Sequence, residues 1–273
     1  MESVEIYLPL LLLMLATGLM AGVMAGLMGI GGGIVMVPVL EFTLGFIGVD
    51  PAVRMHVAVA TSLATIIPTS ISSARAHHRR GAVDFALAKD WGPAIFVGAA
   101  GGAWLAAQVD SAALTAIFAV VALLVALKMI LPLEKIRLAD RVPVGFPGTL
   151  FPGIIGMVST MMGIGGGAMS VTALTIFNVP IHRAVGTSAF FGLLIALPGT
   201  LGFMITGQGN MALPPGSVGF VNVIGFLVLS PATFLAAPLG VKIAHALTQR
   251  QLRMTFGIFL MIAAARMLYR TFI

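Results

Sequence analysis

The phrase Gly29-Ile30-Gly31-Gly32-Gly33 recurs as Gly163-Ile164-Gly165-Gly166-Gly167, each copy directly behind a methionine, Met28 and Met162. Both copies lie inside long apolar runs, where an unbroken helix is otherwise expected. Glycine costs about 1 kcal/mol relative to alanine in a helix interior, so a run this rich in glycine interrupts a helix. The chain is 59% hydrophobic and only 9% charged, far below the roughly one quarter charged of a soluble domain. Its apolar runs therefore belong in a bilayer. A break at membrane depth leaves N–H and C=O groups without partners, and lipid supplies none. Such a break survives only where it is buried in protein or lines a watery cavity. Two breaks at corresponding places in two halves of a chain point to the binding site of a transporter built from repeats.

The other apolar runs fit that frame. In the first half they cover residues 6–28, 33–49, 57–74, 91–108 and 112–131, and in the second 146–162, 167–179, 184–205, 218–241 and 254–272. At about 20 residues per span, the length allows roughly eight to ten transmembrane helices and no soluble domain. The expected fold is an all-α membrane protein with one transmembrane domain made of two repeats, residues 1–141 and 142–273. The start, Met1-Glu2-Ser3-Val4-Glu5, is acidic and lacks the basic n-region of a cleaved signal peptide, so the first run is read as a retained helix.

The internal match extends beyond the glycines. The six residues from Met28 recur 134 positions on, and the stretch from His56 to Thr61-Ser62 is matched 126 positions on by the stretch from His182 to Thr187-Ser188. Two motifs in the same order at compatible spacing indicate duplication. Each copy has an odd number of segments, so the second copy is expected upside down relative to the first. Loop charges agree. The stretch Arg75, His77, His78, Arg79, Arg80 is basic, whereas its counterpart at 206–217 is uncharged. The turn at Asp110 lacks basic residues, whereas its counterpart carries Lys242, Arg250 and Arg253. By the positive-inside bias, both termini come out external and the connector 134–145 internal. Arg266 and Arg270 near the C-terminus pull against that placement.

The candidate binding residues follow from these repeats. Half-helices starting near Gly31, Gly32 and Gly33, and near Gly165, Gly166 and Gly167, would present unpaired N–H groups and the positive end of the helix dipole. That is an anion site without a fixed charge. The hydroxyls of Thr61, Ser62, Thr187 and Ser188 can donate to an oxyanion, against the alternative of bonding back to their own helices. Arg54, His56, His182 and Arg183 occupy polar hinges before the third segment of each repeat, where they would attract or gate anions. Glu41 is an acid deep in an apolar run, and intramembrane carboxylates are costly and often functional, so it is the candidate for proton coupling. Asn222 and Ser230 read as packing residues between helices.

Other chemistries find little footing. The net charge of +6 falls mainly in short loops, without the aromatic-interleaved basic stripe of a nucleic-acid binder. There is no cysteine, hence no thiolate chemistry or disulfide. No metal-ligand set, cofactor motif or acid–base pair at helical spacing stands out, and His77-His78 reads as topology signal. No catalytic role, metal or cofactor is expected. The expected partners are a small anionic substrate and the lipid bilayer, with homo-oligomerisation left open.

The two glycine phrases, Pro38 after the first, Ala60-Thr61-Ser62, Gly186-Thr187-Ser188 and Ala237-Pro238-Leu239-Gly240 before a basic stretch resemble the sulfite exporter TauE/SafE family over nearly the whole chain. The resemblance implies a multi-pass permease of a bacterial or archaeal cytoplasmic membrane, exporting sulfite, sulfoacetate or a related organosulfur anion by alternating access. It implies that the glycine phrases and Thr-Ser pairs frame the substrate route. Another small anion (a carboxylate or an organosulfur thiolate) and an anion channel are the alternatives. Two features stand apart from the family pattern: Thr172 occupies the place matching Pro38, and Glu41 belongs to no family motif.

Overall fold

The computed structural model describes residues 2–29, 31–130, 142–143, 145–243 and 249–272. Among them the chain forms ten helices: α1 (Glu2–Met28), α2 (Gly33–Phe46), α3 (Pro51–His78), α4 (Phe85–Ala106), α5 (Ser111–Ile130), α6 (Gly145–Met161), α7 (Gly167–Ile176), α8 (Ile181–Thr206), α9 (Val223–Ile243) and α10 (Gln249–Phe272). A two-residue hairpin, β1 (Ser217–Val218) with β2 (Val221–Asn222), precedes α9. Among the described residues, five stretches are long and apolar enough to cross a bilayer: Pro9–Met28, Pro51–His78, Ser111–Lys128, Ile181–Thr206 and Val223–Ile243. The chain is thus an all-α protein of membrane-length helices. Most of the connector at 134–145, and residues 244–248 of the basic stretch before α10, lie outside the described residues.

Several helices begin earlier than hydropathy alone suggests, because caps decide their ends. Asp50 accepts the Ala52 N–H at 2.9 Å and Pro51 stands at the first helical position, a strong start signal. The supposed hinge residues Arg54 and His56 therefore belong to the first two turns of α3. His182 and Arg183 likewise lie in the first turn of α8. Asp84 accepts the Leu87 N–H at 3.1 Å and starts α4 at Phe85. Asn222, expected to pack between helices, accepts the Gly225 N–H at 2.8 Å and opens α9.

Each half reaches into the other. Helix α1 packs along α9, and α4 along α6, with α3 and α8 at the centre and α5 against α10. Small residues set the two outer pairs. A Cβ on Gly22 would lie 2.5 Å from the Thr233 carbonyl, and one on Gly102 would meet the Met157 carbonyl. Backbones this close are a standard means of helix association in lipid. The contacts also give direction. Gly18 meets Ala232 and Gly26 meets Ala237, so α1 and α9 run parallel. Gly98 meets Gly153 and Gly102 meets Met157, so α4 and α6 do too. Thr69 bonds Thr233 and Ser72 bonds Phe234, which aligns α3 with α9. His56, near the start of α3, bonds Ala106 at the end of α4, so those two run oppositely.

Candidate functional site

Each glycine phrase folds the chain back on itself. Gly32 caps α2 with φ +75° and Gly166 caps α7 with φ +68°, a left-handed conformation that glycine adopts without penalty. A Cβ on Gly32 would lie 2.6 Å from the Ala21 carbonyl of α1, so α2 doubles back beside the helix that precedes it. The products are half-length helices of 14 and 10 residues, both starting inside the protein. Gly31, Gly32, Gly33, Gly165, Gly166 and Gly167 are all buried.

The two breaks touch. A Cβ on Gly31 would be 3.2 Å from Gly165 Cα, and one on Gly33 would strike the Gly163 carbonyl. Around them, matched positions of the two phrases make matched contacts. Gly29 faces the Val185 carbonyl of α8, and Gly163 faces the Val59 carbonyl of α3. The Ile66 side chain lies on Gly31, Gly33 and Gly165 together, filling the space between the breaks.

The Thr-Ser pairs divide their work. Thr61 Oγ1 accepts the Asn222 N–H at 2.9 Å, and Thr187 Oγ1 accepts the Asp84 N–H at 2.9 Å. Both threonines thus hold the N-cap residue of a helix, α9 and α4. Each hydroxyl keeps its own hydrogen to donate. Ser62 Oγ donates to the Gly163 carbonyl at 2.8 Å, tying α3 to the second break. Ser188 Oγ is buried with no partner among the described residues.

The hinge residues Arg54, His56 and Arg183 have partners outside the glycine phrases. Arg54 donates to the Val49 carbonyl at 2.8 and 3.2 Å and stands 3.7 Å from Glu41. The pair lines a cavity of about 280 Å³ with Met55, Ser111, Thr115 and Met267. His56 Nε2 is 3.0 and 3.1 Å from the carbonyls of Ala106 and Val109, and its ring stacks on Phe220 at 4.9 Å. Arg183 pairs with Asp84 at 2.8 Å, and both Arg183 and His182 are exposed. Arg266 lies 4.4 Å over the Phe42 ring.

Hydroxyls that sequence reading passed over also reach this region. Ser70 Oγ would be 2.5 Å from a Cβ on Gly192, a position itself 3.0 Å from the Gly165 carbonyl. Thr160 Oγ1 would be 3.5 Å from a Cβ on Gly199. The available signal was Ser159-Thr160 just ahead of the second phrase, where Ala25-Gly26 precede the first.

Interlocked halves of membrane-length helices, each with a half-length helix starting at buried glycines, define a multi-pass membrane protein of transporter build. The chain belongs to the Sulfite exporter TauE/SafE family, whose profile matches residues 14–267. A Haemophilus influenzae protein named "Probable membrane transporter protein" is 32% identical over 94% of this chain and 97% of its own. A Bacillus subtilis protein of that description is 28% identical over 94% and 97%, and one from Methanocaldococcus jannaschii is 26% identical over 90% and 91%. No solved structure matches the chain. Family and relatives alike point to a membrane transporter.

Proposed function

We propose that the chain exports a small oxyanion, sulfite or an organosulfonate such as sulfoacetate, across the cytoplasmic membrane by alternating access. The observation that carries this reading is the contact between the two glycine breaks, Gly31 against Gly165 and Gly33 against the Gly163 carbonyl, from which the half-helices α2 and α7 start inside the protein. Their first N–H groups lack helical acceptors and present the positive end of the helix dipole, which suits an anion where a lysine or arginine would be costly to bury. The glycines 31–33 and 165–167, with Thr61, Ser62, Thr187 and Ser188, are the binding residues of this reading. The family's description supports the sulfur oxyanion over a carboxylate.

Residues 1–141 and 142–273 act as two inverted repeats in this proposal. The parallel packing of α1 on α9 and of α4 on α6 supports it, as does the antiparallel course of α3 and α4. The basic end of α3 then faces the cytoplasm, and both termini face outward. Export of an anion from a negative interior is downhill by about 2.3 kcal/mol per charge per 100 mV. Glu41, paired with Arg54 at a cavity wall, is therefore not needed as a proton carrier for the energetics to close.

The test is flux of radiolabelled sulfite, sulfoacetate and a matched carboxylate by the purified chain in liposomes under an imposed potential. Saturable sulfite or sulfonate flux is expected, inhibited by the other sulfur anion. Carboxylate preference would overturn the substrate class, and flux linear in concentration would indicate a channel. Accessibility labels at Gly81 and Gln208 are expected on opposite faces; both on one face would refute the inversion.

A further inference from the structure

One cavity lies apart from the glycine breaks. It sits where the far half of α2 meets the starts of α3 and α5 and the last turns of α10, with Glu41, Arg54, Ser111, Ala112, Thr115 and Met267 in its wall. Glu41 is eight residues past Gly33, about 12 Å along the helix axis. The volume of about 280 Å³ is near the lower end of small-molecule sites, roughly 300–1,000 Å³.

The two charges in the wall are held by their surroundings. Arg54 Nε and Nη2 both donate to the Val49 carbonyl, at 3.2 and 2.8 Å, which fixes the guanidinium plane. Gly45 makes room for that plane on α2, since a Cβ there would be 3.1 Å from Arg54 Nη1. Glu41 stands one turn before Gly45 on the same helix face, with its Oε1 3.7 Å from Nη1. That distance gives attraction without a hydrogen bond. The side chains are only 15% and 16% exposed, so water screens the pair weakly. Arg54 uses two of its five N–H donors on Val49, and a carboxylate accepts about four hydrogen bonds, so neither group is saturated by the other.

The hydroxyls beside them are complementary. Ser111 Oγ accepts the Met55 N–H at 3.0 Å and keeps its own hydrogen to donate. Thr115 Oγ1 donates to the Ser111 carbonyl at 2.7 Å and keeps lone pairs to accept. The wall therefore offers a cation with a hydroxyl donor, and an anion with a hydroxyl acceptor. An anion alone would be repelled by Glu41, and a cation alone by Arg54. A ligand bearing both signs satisfies each. Because the two side-chain charges are neighbours, the ligand's charges must lie only a few bonds apart.

We propose that this cavity binds a short zwitterion, its ammonium on Glu41 and its anionic oxygens on Arg54. A β-amino acid and the phosphoethanolamine headgroup of a lipid share that chemistry. Under the topology proposed above the site faces outward, and it is separate from the anion site at the breaks. A bound ligand joins α2 to α3, α5 and α10, and so steadies the far end of the half-helix whose near end forms the first break.

The experiment uses the full chain in phospholipid-free detergent, measuring melting temperature and, by isothermal titration, affinity. The probes are β-alanine and glycerophosphoethanolamine, with propionate and propylammonium as single-charge controls. At least one zwitterion is expected to raise the melting temperature, and neither control is. Nanodiscs of phosphatidylethanolamine and of phosphatidylglycerol separate the two sources. Greater stability in the former assigns the site to a lipid headgroup, and equal stability with protection by β-alanine assigns it to a free solute. Arg54→Gln and Glu41→Gln are each expected to weaken zwitterion binding at least about tenfold, the worth of one charge-assisted hydrogen bond. They are also expected to part in a way that loss of structure cannot mimic: R54Q gains affinity for propylammonium, and E41Q for propionate. Ala112→Phe fills the cavity with both charges intact and is expected to abolish binding; it serves if the charge variants fail to fold. No protection by either zwitterion, or equal protection by the single-charge controls, would overturn the site. Anion flux is a separate readout, so failure here leaves the transport reading standing, and a chain without sulfite or sulfonate flux leaves this site standing.

Discussion

The two Thr-Ser pairs begin as copies and end with different duties. Thr61 and Thr187 do the same thing: each accepts the backbone N–H of a residue that caps a helix, Asn222 before α9 and Asp84 before α4. Ser62 and Ser188 do not match. Ser62 spends its hydrogen on the Gly163 carbonyl, whereas Ser188 has no partner among the described residues. The matched threonines thus keep the same joint in both halves, while the matched serines have come to differ. Sequence identity between repeats reports shared scaffold more dependably than shared chemistry.

The comparison can be broken most severely at the breaks themselves, where both halves are expected to respond alike. Gly32→Leu and Gly166→Leu each place a side chain in a left-handed conformation, the first beside the Ala21 carbonyl and the second within Ile195. Both are expected to abolish anion flux in liposomes while the chain still inserts. Wild-type flux from either would remove the breaks from the transport route. The threonines come next. Thr61→Val and Thr187→Val each leave a part-buried N–H unpaired, at about 1 kcal/mol, and similar drops in melting temperature are expected. A drop in only one would show that the joints are not equivalent. The serines give the smallest and most discriminating signal. Ser62→Ala is expected to lose about 1 kcal/mol of stability, and Ser188→Ala none. Equal losses would erase the distinction.

Much of the architecture was legible because membrane helices are written in composition. Four glycines among apolar residues announce an interruption, and the starts of α2 at Gly33 and α7 at Gly167 fall at the glycines themselves. Helix ends were less legible, since hydropathy does not register caps. Asp50-Pro51 pulled α3 back past Arg54 and His56, and Asp84 pulled α4 back past Lys89 and Asp90. The candidate site was legible only in outline. Nothing local to Ser62 announces its bond to a carbonyl 101 residues away. Ser70 and Thr160 read as ordinary small polar residues, because what distinguishes them is the lack of a partner among the described residues, a property of the folded arrangement and not of any one helix.

The crossed packing of α1 on α9 and α4 on α6 has a consequence for how the protein is made. A ribosome delivers α1 to the bilayer long before α9 exists, since α1 ends at Met28 and α9 starts at Val223. Until then its glycine face, cut to receive the backbone of α9, has only lipid against it, and the chain cannot reach its final form in the order of its synthesis. Helix α4 waits a shorter time for α6, which begins at Gly145. Assembly therefore closes from the middle outward, and α1, the first helix inserted, is among the last to be locked. A chain cut between the repeats would leave two fragments with glycine faces exposed, each able to finish only by finding the other.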